Sequence, residues 1–175
     1  MRKIIKVAVI GPECSGKTTL CKMLSDYFVD PWVPEYAREY LLNINRPYEE
    51  FDLLQIALEQ IRRENIEIKN ATNFIFCDTD VMNIQVWSEI KYQRCAIDLL
   101  KLVASTNYDL YILIEPTPAW EPDQFRETPN FEDRKKLYET YLEMVSDKGQ
   151  CVYILNRERI DSVFEYLKGF LVNKD

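Results

Sequence analysis

The chain of 175 residues contains no histidine and only four glycines. Without histidine, the protein cannot be a hydrolase with a histidine base, a zinc protein with histidine ligands, or a nucleotidyltransferase that depends on a histidine pair. Any acid or base must therefore be a carboxylate, a lysine, a tyrosine or a cysteine. The sequence also lacks a run of 18 apolar residues and a signal-peptide pattern, so we expect a cytoplasmic protein without a membrane partner.

Acidic residues outnumber basic ones by 29 to 22, which gives a formal net charge of -7. We expect no nucleic-acid partner, because phosphate backbones are bound by clustered lysine and arginine. A small anionic ligand remains compatible with a local positive site. The cysteines are odd in number and form no C-x-x-C pair, so we expect reduced thiols that are buried as small apolar side chains. They are Cys14, Cys21, Cys77, Cys95 and Cys151.

Short apolar runs alternate with helical periodicity along the chain. The strand-like runs cover residues 4–10, 32–33, 74–77, 110–114 and 151–155. The helical patterns cover residues 17–28, 36–42, 48–70, 79–90, 95–104, 131–145 and 160–171. This alternation predicts an α/β fold, a three-layer sandwich with a five-stranded parallel sheet, in a single domain spanning residues 1–175. Ligands of such sheets bind at the carboxyl ends of the strands. The oligomeric state is not indicated.

The first strand leads into residues 11–18, GPECSGKT, a full match to the phosphate-binding pattern G-x-x-x-x-G-K-[ST]. The glycines allow the loop to turn its amides toward phosphate oxygens, and the dipole of the following helix adds positive charge. We expect Lys17 to contact the β and γ phosphates of ATP and the Thr18 hydroxyl to ligate Mg²⁺. The residues expected to bind ATP are Gly11, Glu13, Cys14, Ser15, Gly16, Lys17, Thr18 and Thr19.

Carboxylates follow two of the predicted strands. Asp78 and Asp80 end the third, where a carboxylate near Mg²⁺ is expected, and helix N-capping is the alternative for one of the two. The absence of a glutamate after Asp78, and of a guanine-reading N-K-x-D segment, favours a transferase over a hydrolase. Glu35 follows the second strand and could accept the proton of an acceptor hydroxyl, with Arg38 on the same edge. The alternative is a capping carboxylate beside a solvated arginine.

Residues 117–134 are predicted to form a lid, because three prolines interrupt residues 117–129. Arg126 would bring positive charge to the transferred phosphoryl group when the lid closes. For Arg134, a surface ion pair and a catalytic role are equally open. Trp120, Trp87 and Tyr92 are candidates for stacking on a flat base, although burial in the core is the favoured interpretation of Trp87.

These motifs together resemble the ribosylnicotinamide kinase domain of the NadR-type NAD-biosynthesis proteins. The matching segments are residues 11–18 (GPECSGKT), 35–40 (EYAREY), 78–80 (DTD) and 120–127 (WEPDQFRE), in the family's order. The resemblance implies a fold like that of nucleoside and nucleoside monophosphate kinases. It also implies ATP- and Mg²⁺-dependent phosphorylation of the 5′-hydroxyl of nicotinamide riboside, giving nicotinamide mononucleotide.

The resemblance assigns roles residue by residue. The expected catalytic residues are Lys17, Glu35, Asp78 and Arg126. The expected acceptor-binding residues are Glu35, Tyr36, Arg38, Asp78, Asp80, Trp120 and Asp123. Thr18 and Asp78 are the expected metal ligands. The residue types alone do not distinguish which of Glu35, Asp78 and Asp80 accepts the proton of the acceptor hydroxyl. For Asn156, Arg157 and Arg159, adenine contacts and ordinary surface positions are both open.

Two other functions are compatible with the motifs. The protein could phosphorylate another nucleoside or nucleotide, or it could be an ATP-binding regulatory ATPase without a small acceptor. NadR-type proteins often carry an adenylyltransferase domain before the kinase, whereas this chain starts ten residues before its phosphate loop. We therefore expect a stand-alone kinase, with any adenylyl transfer supplied by another chain.

Overall fold

The computed structural model describes residues 3–148 and 151–172, without the side chains of Arg157 and Val172. The strands are β1 (Ile5–Ile10), β2 (Trp32–Val33), β3 (Phe74–Asp78), β4 (Leu110–Ile114) and β5 (Val152–Leu155). The helices are α1 (Lys17–Phe28), α2 (Tyr36–Asn43), α3 (Glu50–Glu67), α4 (Val81–Tyr92), α5 (Ile97–Ser105), α6 (Phe131–Asp147) and α7 (Ile160–Val172). Short 3₁₀ turns occupy Ile68–Asn70 and Arg157–Arg159.

The described strands form one parallel sheet in the order β2-β3-β1-β4-β5. The predicted α/β sandwich with five parallel strands is thereby confirmed. β1 lies at the centre, and Val9 near its carboxyl end pairs with Asp78 at the end of β3. This register places the loop after β1 beside the carboxylates that follow β3.

The side chains of the sheet alternate between two apolar cores. Val7 and Val9 of β1 pack with Leu20 and Leu24 of α1 on one face. Ala8 and Ile10 pack on the other face, in the core that α3 to α6 cover. Because both faces are covered, the central strands are apolar throughout, as parallel strands in sandwiches are.

Several predicted boundaries are corrected by local hydrogen bonds. The helix predicted over 79–90 begins at Val81, because the carboxylate of Asp80 caps it by accepting from Asn83 N. The helix predicted over 48–70 begins at Glu50, where Glu49 and Asp52 form a capping box, and it passes into a 3₁₀ turn after Glu67. The helix predicted over 95–104 begins only at Ile97.

Burial of the cysteines was predicted only partly correctly. Cys21 and Cys77 are buried, Cys14 and Cys95 are half-buried, and Cys151 is exposed. All five thiols are free, as expected. Within the described ranges, no helix combines the length and apolar character needed to cross a bilayer.

Candidate active site

The loop between β1 and α1 depends on its two glycines. Gly11 has a φ of 144°, and a Cβ at this position would lie 2.7 Å from the carbonyl oxygen of Ile114. Gly16 has a φ of 97° and is the N-cap of α1. Both conformations are unfavourable for residues with side chains, so the glycines allow the loop to close and to start α1 with its amides facing the cavity.

Lys17, Thr18 and Asp78 meet at the carboxyl ends of β1 and β3. Lys17 Nζ donates to the carbonyl oxygens of Gly11 and Pro12, each at 2.9 Å. Thr18 Oγ1 donates to Asp78 Oδ2 at 2.6 Å. Burial raises the pKa of Asp78, while the hydrogen bond from Thr18 and the charge of Lys17 oppose this rise.

The second oxygen of Asp78 suits a metal ion. Asp78 Oδ1 is buried and has no hydrogen-bond partner in the described part of the chain. An unpaired buried carboxylate oxygen beside a threonine hydroxyl fits Mg²⁺, which takes hard oxygen ligands and binds through one or two protein groups together with phosphates. No cluster of three or more acidic, cysteine or histidine side chains suited to a metal occurs among the described residues.

Asp80 lies in different surroundings from Asp78, although both follow β3. Thr79 between them has a φ of 74°, which is rare for a β-branched residue and turns the chain. Asp80 then caps α4 and accepts from Tyr111 Oη at 3.1 Å. Burial raises its pKa to about 6. Asp80 lines a small cleft together with Glu35 and Gln60, and its contacts are those of the N-capping alternative.

A cavity of about 660 Å³ extends from the phosphate loop across the carboxyl edge of the sheet. Among the predicted site residues, its lining includes Gly11, Glu13, Cys14, Gly16, Lys17, Thr18, Thr19, Glu35, Arg38 and Arg126. Ser15 is buried beneath the loop. Tyr36 is outside the lining and packs its ring against the Arg63 guanidinium at 4.2 Å. Asn156 is also outside the cavity lining. Its amide donates to Glu115 at 2.8 Å.

Glu35 faces the phosphate loop from the start of α2. Burial raises its pKa, and the negative charges of Asp78 and Glu13 add to the rise while Lys17 and Arg38 oppose it. Arg38 Nε lies 3.5 Å from Glu35, and Arg38 Nη1 donates to Asp123 of the lid at 2.8 Å. The arginine therefore connects α2 with the lid.

The segment predicted to form a lid contacts the phosphate loop directly. The Glu13 carboxylate accepts from the amides of Glu127 at 3.1 Å and Thr128 at 2.9 Å. Cys14 Sγ lies 3.5 Å from the amide nitrogen of Glu121. Arg126 lines the cavity, and its guanidinium donates to the carbonyl oxygen of Glu121. The segment predicted as a lid thus covers one end of the phosphate loop.

The interpretation of Arg134 as part of a surface ion pair is wrong. Its side chain is fully buried, so it forms no surface ion pair, and it does not line the cavity. The guanidinium donates to main-chain carbonyls at the two ends of the lid. Trp120 packs its ring against this guanidinium at 5.0 Å and is likewise outside the lining.

A family model described as an AAA domain matches residues 6–162. The chain belongs to the AAA domain family. Two curated relatives are the trifunctional NAD biosynthesis/regulator proteins NadR of Escherichia coli (strain K12) and Salmonella typhimurium. The first is 29% identical over 165 residues, covering 90% of this chain and 40% of that protein. The second is 29% identical over 150 residues, covering 82% of this chain and 36% of that protein.

Solved structures give the same family relationship for this AAA domain. A crystal structure of a NadR protein in complex with NR superposes with a TM-score of 0.75 at 26% identity, covering 94% of this chain and 52% of that one. A thymidylate kinase from Ehrlichia chaffeensis, 15% identical with a TM-score of 0.64, shares the fold. The resemblance to the NadR-type P-loop kinase domain is confirmed. The chain spans about two fifths of the curated relatives and about half of the NadR structure.

Tyr48 and Gln60 of this AAA domain were not predicted from sequence, whereas Trp87 was a candidate for stacking. Tyr48 and Trp87 line the cavity, with ring centroids 6.4 Å apart. Trp87 also packs against the core. Its side chain is therefore partly buried in the core and also lines the cavity. Gln60 is buried, and its side-chain oxygen accepts from Tyr36 N at 2.9 Å, which holds the start of α2 beside Glu35. Tyr48 could have been considered from sequence as one more aromatic candidate for stacking. No sequence motif indicates Gln60.

Proposed function

We propose that this AAA domain transfers the γ-phosphoryl group of ATP to the 5′-hydroxyl of nicotinamide riboside, giving nicotinamide mononucleotide. We also propose that residues 1–175 form one kinase-like domain with residues 117–134 as its lid. The observation that carries the proposal is the cavity itself, which has a phosphate-binding loop on one wall and the carboxylate of Glu35 on the other. The similarity to a NadR protein crystallised with NR supports the choice of acceptor.

The phosphate side provides positive charge and amide donors. Lys17 is placed to exchange its two carbonyl partners for phosphate oxygens, and α1 begins at the same loop, so the positive end of its dipole adds to the site. Thr18 and Asp78 would hold Mg²⁺, which when bound neutralises charge on the phosphates. Phosphoryl transfer is accelerated mainly by such positioning and electrostatic stabilisation.

The acceptor side provides a base. In its ionised form, Glu35 accepts the proton of the attacking hydroxyl as the oxygen forms its bond to phosphorus. Asp78 is less suited to this role, because one of its oxygens already accepts from Thr18. Arg38 holds the Glu35 carboxylate from the side of the lid. Arg126 lines the same cavity and would stabilise charge on the transferred group.

The cavity also presents two aromatic side chains to a flat ring. The rings of Tyr48 and Trp87 are tilted by 37° to each other and both border the cavity. Aromatic faces attract cations, with Trp the strongest. The Lys91 ammonium already lies 3.2 Å from the Tyr48 ring centroid, so Trp87 is the side chain of the two that would attract the positively charged nicotinamide ring of the riboside.

The test is to mix the protein with ATP, Mg²⁺ and a panel of nucleosides that includes nicotinamide riboside, and to measure ADP release and the phosphorylated product. We expect nicotinamide riboside to stimulate ADP release most, with one product molecule per ADP. The Lys17→Ala protein gives the background rate. A stronger response to another nucleoside or nucleotide would contradict the acceptor. ADP release that no acceptor changes would contradict the kinase and favour the regulatory ATPase.

A further inference from the structure

Arg134 at the start of α6 has no ordinary role for a charged side chain. Its relative exposure is 0%, and no carboxylate pairs with it among the residues that the structure describes. Burial of an unpaired charge is unfavourable unless hydrogen bonds compensate it. Here the compensation comes from main-chain carbonyls, which means that the arginine stabilises a particular path of the backbone.

These carbonyls belong to both ends of the lid. Arg134 Nη2 donates to Thr117 O at 2.9 Å, and to the carbonyls of Pro118 and Ala119 at 3.3 Å. Arg134 Nη1 donates to Pro129 O at 3.1 Å and reaches Thr128 O at 3.4 Å. The part of the lid before α6 is residues 117–129. We call its two ends, residues 117–119 and 127–129, the lid base and residues 120–126 the lid tip. One planar guanidinium therefore joins the two segments of the lid base.

Glu13 holds the lid base from the opposite side. Its two carboxylate oxygens accept from the amides of Glu127 and Thr128, one amide each. The segment 127–129 is thus held through its amides by the phosphate loop and through its carbonyls by α6. Charged partners make these hydrogen bonds stronger than bonds between neutral groups.

We propose that Arg134 and Glu13 are positioning residues for phosphoryl transfer: they fix the lid base so that Arg126 is held over the phosphate loop. Arg126 directly precedes the segment that both residues hold. Electrostatic stabilisation is effective only when the charge is already in place as the transition state forms. The role assigned to the two residues is therefore to restrict the lid rather than to contact the substrate.

The experiment compares Arg134→Lys and Glu13→Gln with the wild-type protein. Lysine keeps the charge, but its single ammonium group cannot span two backbone segments as a guanidinium does. Glutamine keeps one acceptor but presents an NH₂ group to the second amide. Matched controls are Arg62→Lys and Glu165→Gln, which alter exposed ion pairs on α3 and α7. Steady-state kinetics, thermal unfolding and amide hydrogen exchange are measured for each protein.

For Arg134→Lys we expect kcat to fall about tenfold or more, with the KM for the nucleoside nearly unchanged. Exchange should accelerate in residues 117–129 while β1 and β4 stay protected. For Glu13→Gln we expect faster exchange at the amides of Glu127 and Thr128 and a smaller loss in kcat. The controls should match the wild type.

Unchanged kcat in both variants would overturn the proposal, as would exchange that accelerates equally throughout the sheet, because that pattern indicates general destabilisation. If Arg134→Lys does not fold, Glu13→Gln decides alone. The kinetic part rests on the proposed function, but the exchange part does not. If the wild type phosphorylates no nucleoside, the proposed function fails, while the exchange of Glu127 and Thr128 in Glu13→Gln still supports or overturns the hold on the lid.

Discussion

The two walls of the cavity are held in place by different kinds of contact. The phosphate wall is the loop of residues 11–18, backed by the buried Asp78, which accepts from Thr18; the loop follows β1 and Asp78 ends the adjacent strand β3. Its shape comes from glycine conformations and from strand register. The acceptor wall consists of Glu35, Arg38 and the lid, which are joined by side-chain contacts between segments far apart in sequence.

This difference predicts how each wall responds to substitution. On the phosphate wall, Lys17 and Thr18 are placed to act directly on the nucleotide from a backbone whose shape comes from the glycines, whereas Glu13 holds the lid. Removal of the Lys17 or Thr18 side chain should reduce the rate strongly and affect folding little. Side chains on the acceptor wall also hold one another, so single substitutions there should have smaller and more distributed effects on the rate.

The largest effect is expected for Lys17→Ala on the phosphate wall. Loss of the ammonium group removes charge stabilisation from the transferring phosphoryl group, and we expect kcat to fall about 10³-fold, roughly 4 kcal/mol. The unfolding temperature should change little, because Lys17 Nζ donates to the carbonyl oxygens of its own loop. The measurement is kcat together with a thermal unfolding curve, and Lys101→Ala on α5 is the control. A residual rate within about tenfold of the wild type would rule out the phosphate contact.

The next effect separates the two aspartates that follow β3. Asp78→Asn should lower kcat about 10²-fold, because it removes the anionic oxygen offered to Mg²⁺. It should also raise the Mg²⁺ concentration needed for half-maximal rate. Asp80→Asn is the matched control, since asparagine is also a good N-cap and Asp80 accepts from Asn83 N and Tyr111 rather than from Thr18. Equal losses of activity in the two variants would contradict the separation of their roles.

The phosphate wall was more predictable from sequence than the acceptor wall for a physical reason. The loop motif is local, so the residues that form it are adjacent in sequence and their types are dictated by backbone geometry. Asp78 and Asp80 could not be told apart, because the positive φ of Thr79 turns the chain between them and β-branched residues rarely adopt it. The partners of Arg134 are main-chain carbonyls, which every residue carries, so no residue pattern indicates them.

A smaller loss is expected for Glu35→Gln on the acceptor wall. Loss of the base should lower kcat about 10- to 100-fold. Because burial raises the pKa of Glu35, the wild-type rate should rise with pH as the carboxylate ionises, with a midpoint above the ordinary value of 4.5 for a glutamate. The variant should lose this acidic limb. Glu39→Gln, one helical turn later and exposed, is the control and should keep it. An unchanged limb in Glu35→Gln would assign the titration to another group.

The smallest effect is expected where the acceptor wall is weakest, at the ion pair between Arg38 and Asp123. The side chains are 40% and 26% exposed, so solvent screens the pair and its contribution should be about 0.5 kcal/mol. Asp123→Asn keeps an oxygen for the amide of Phe125, which Asp123 Oδ1 now accepts at 2.9 Å, and removes only the charge that faces Arg38. The hydrogen bond from Arg38 lowers the pKa of Asp123, so the pair is intact at neutral pH and weakens only as pH falls through that lowered value.

We expect the KM for the nucleoside to rise about twofold at low salt in Asp123→Asn and the difference to shrink at high salt, because salt screens exposed charges. Asp98→Asn, which breaks an exposed pair on α5, is the control. A fall in kcat/KM of Asp123→Asn as large as that of Glu35→Gln, and independent of salt, would show that the lid is held mainly by this ion pair. Glu13 and Arg134 would then contribute less.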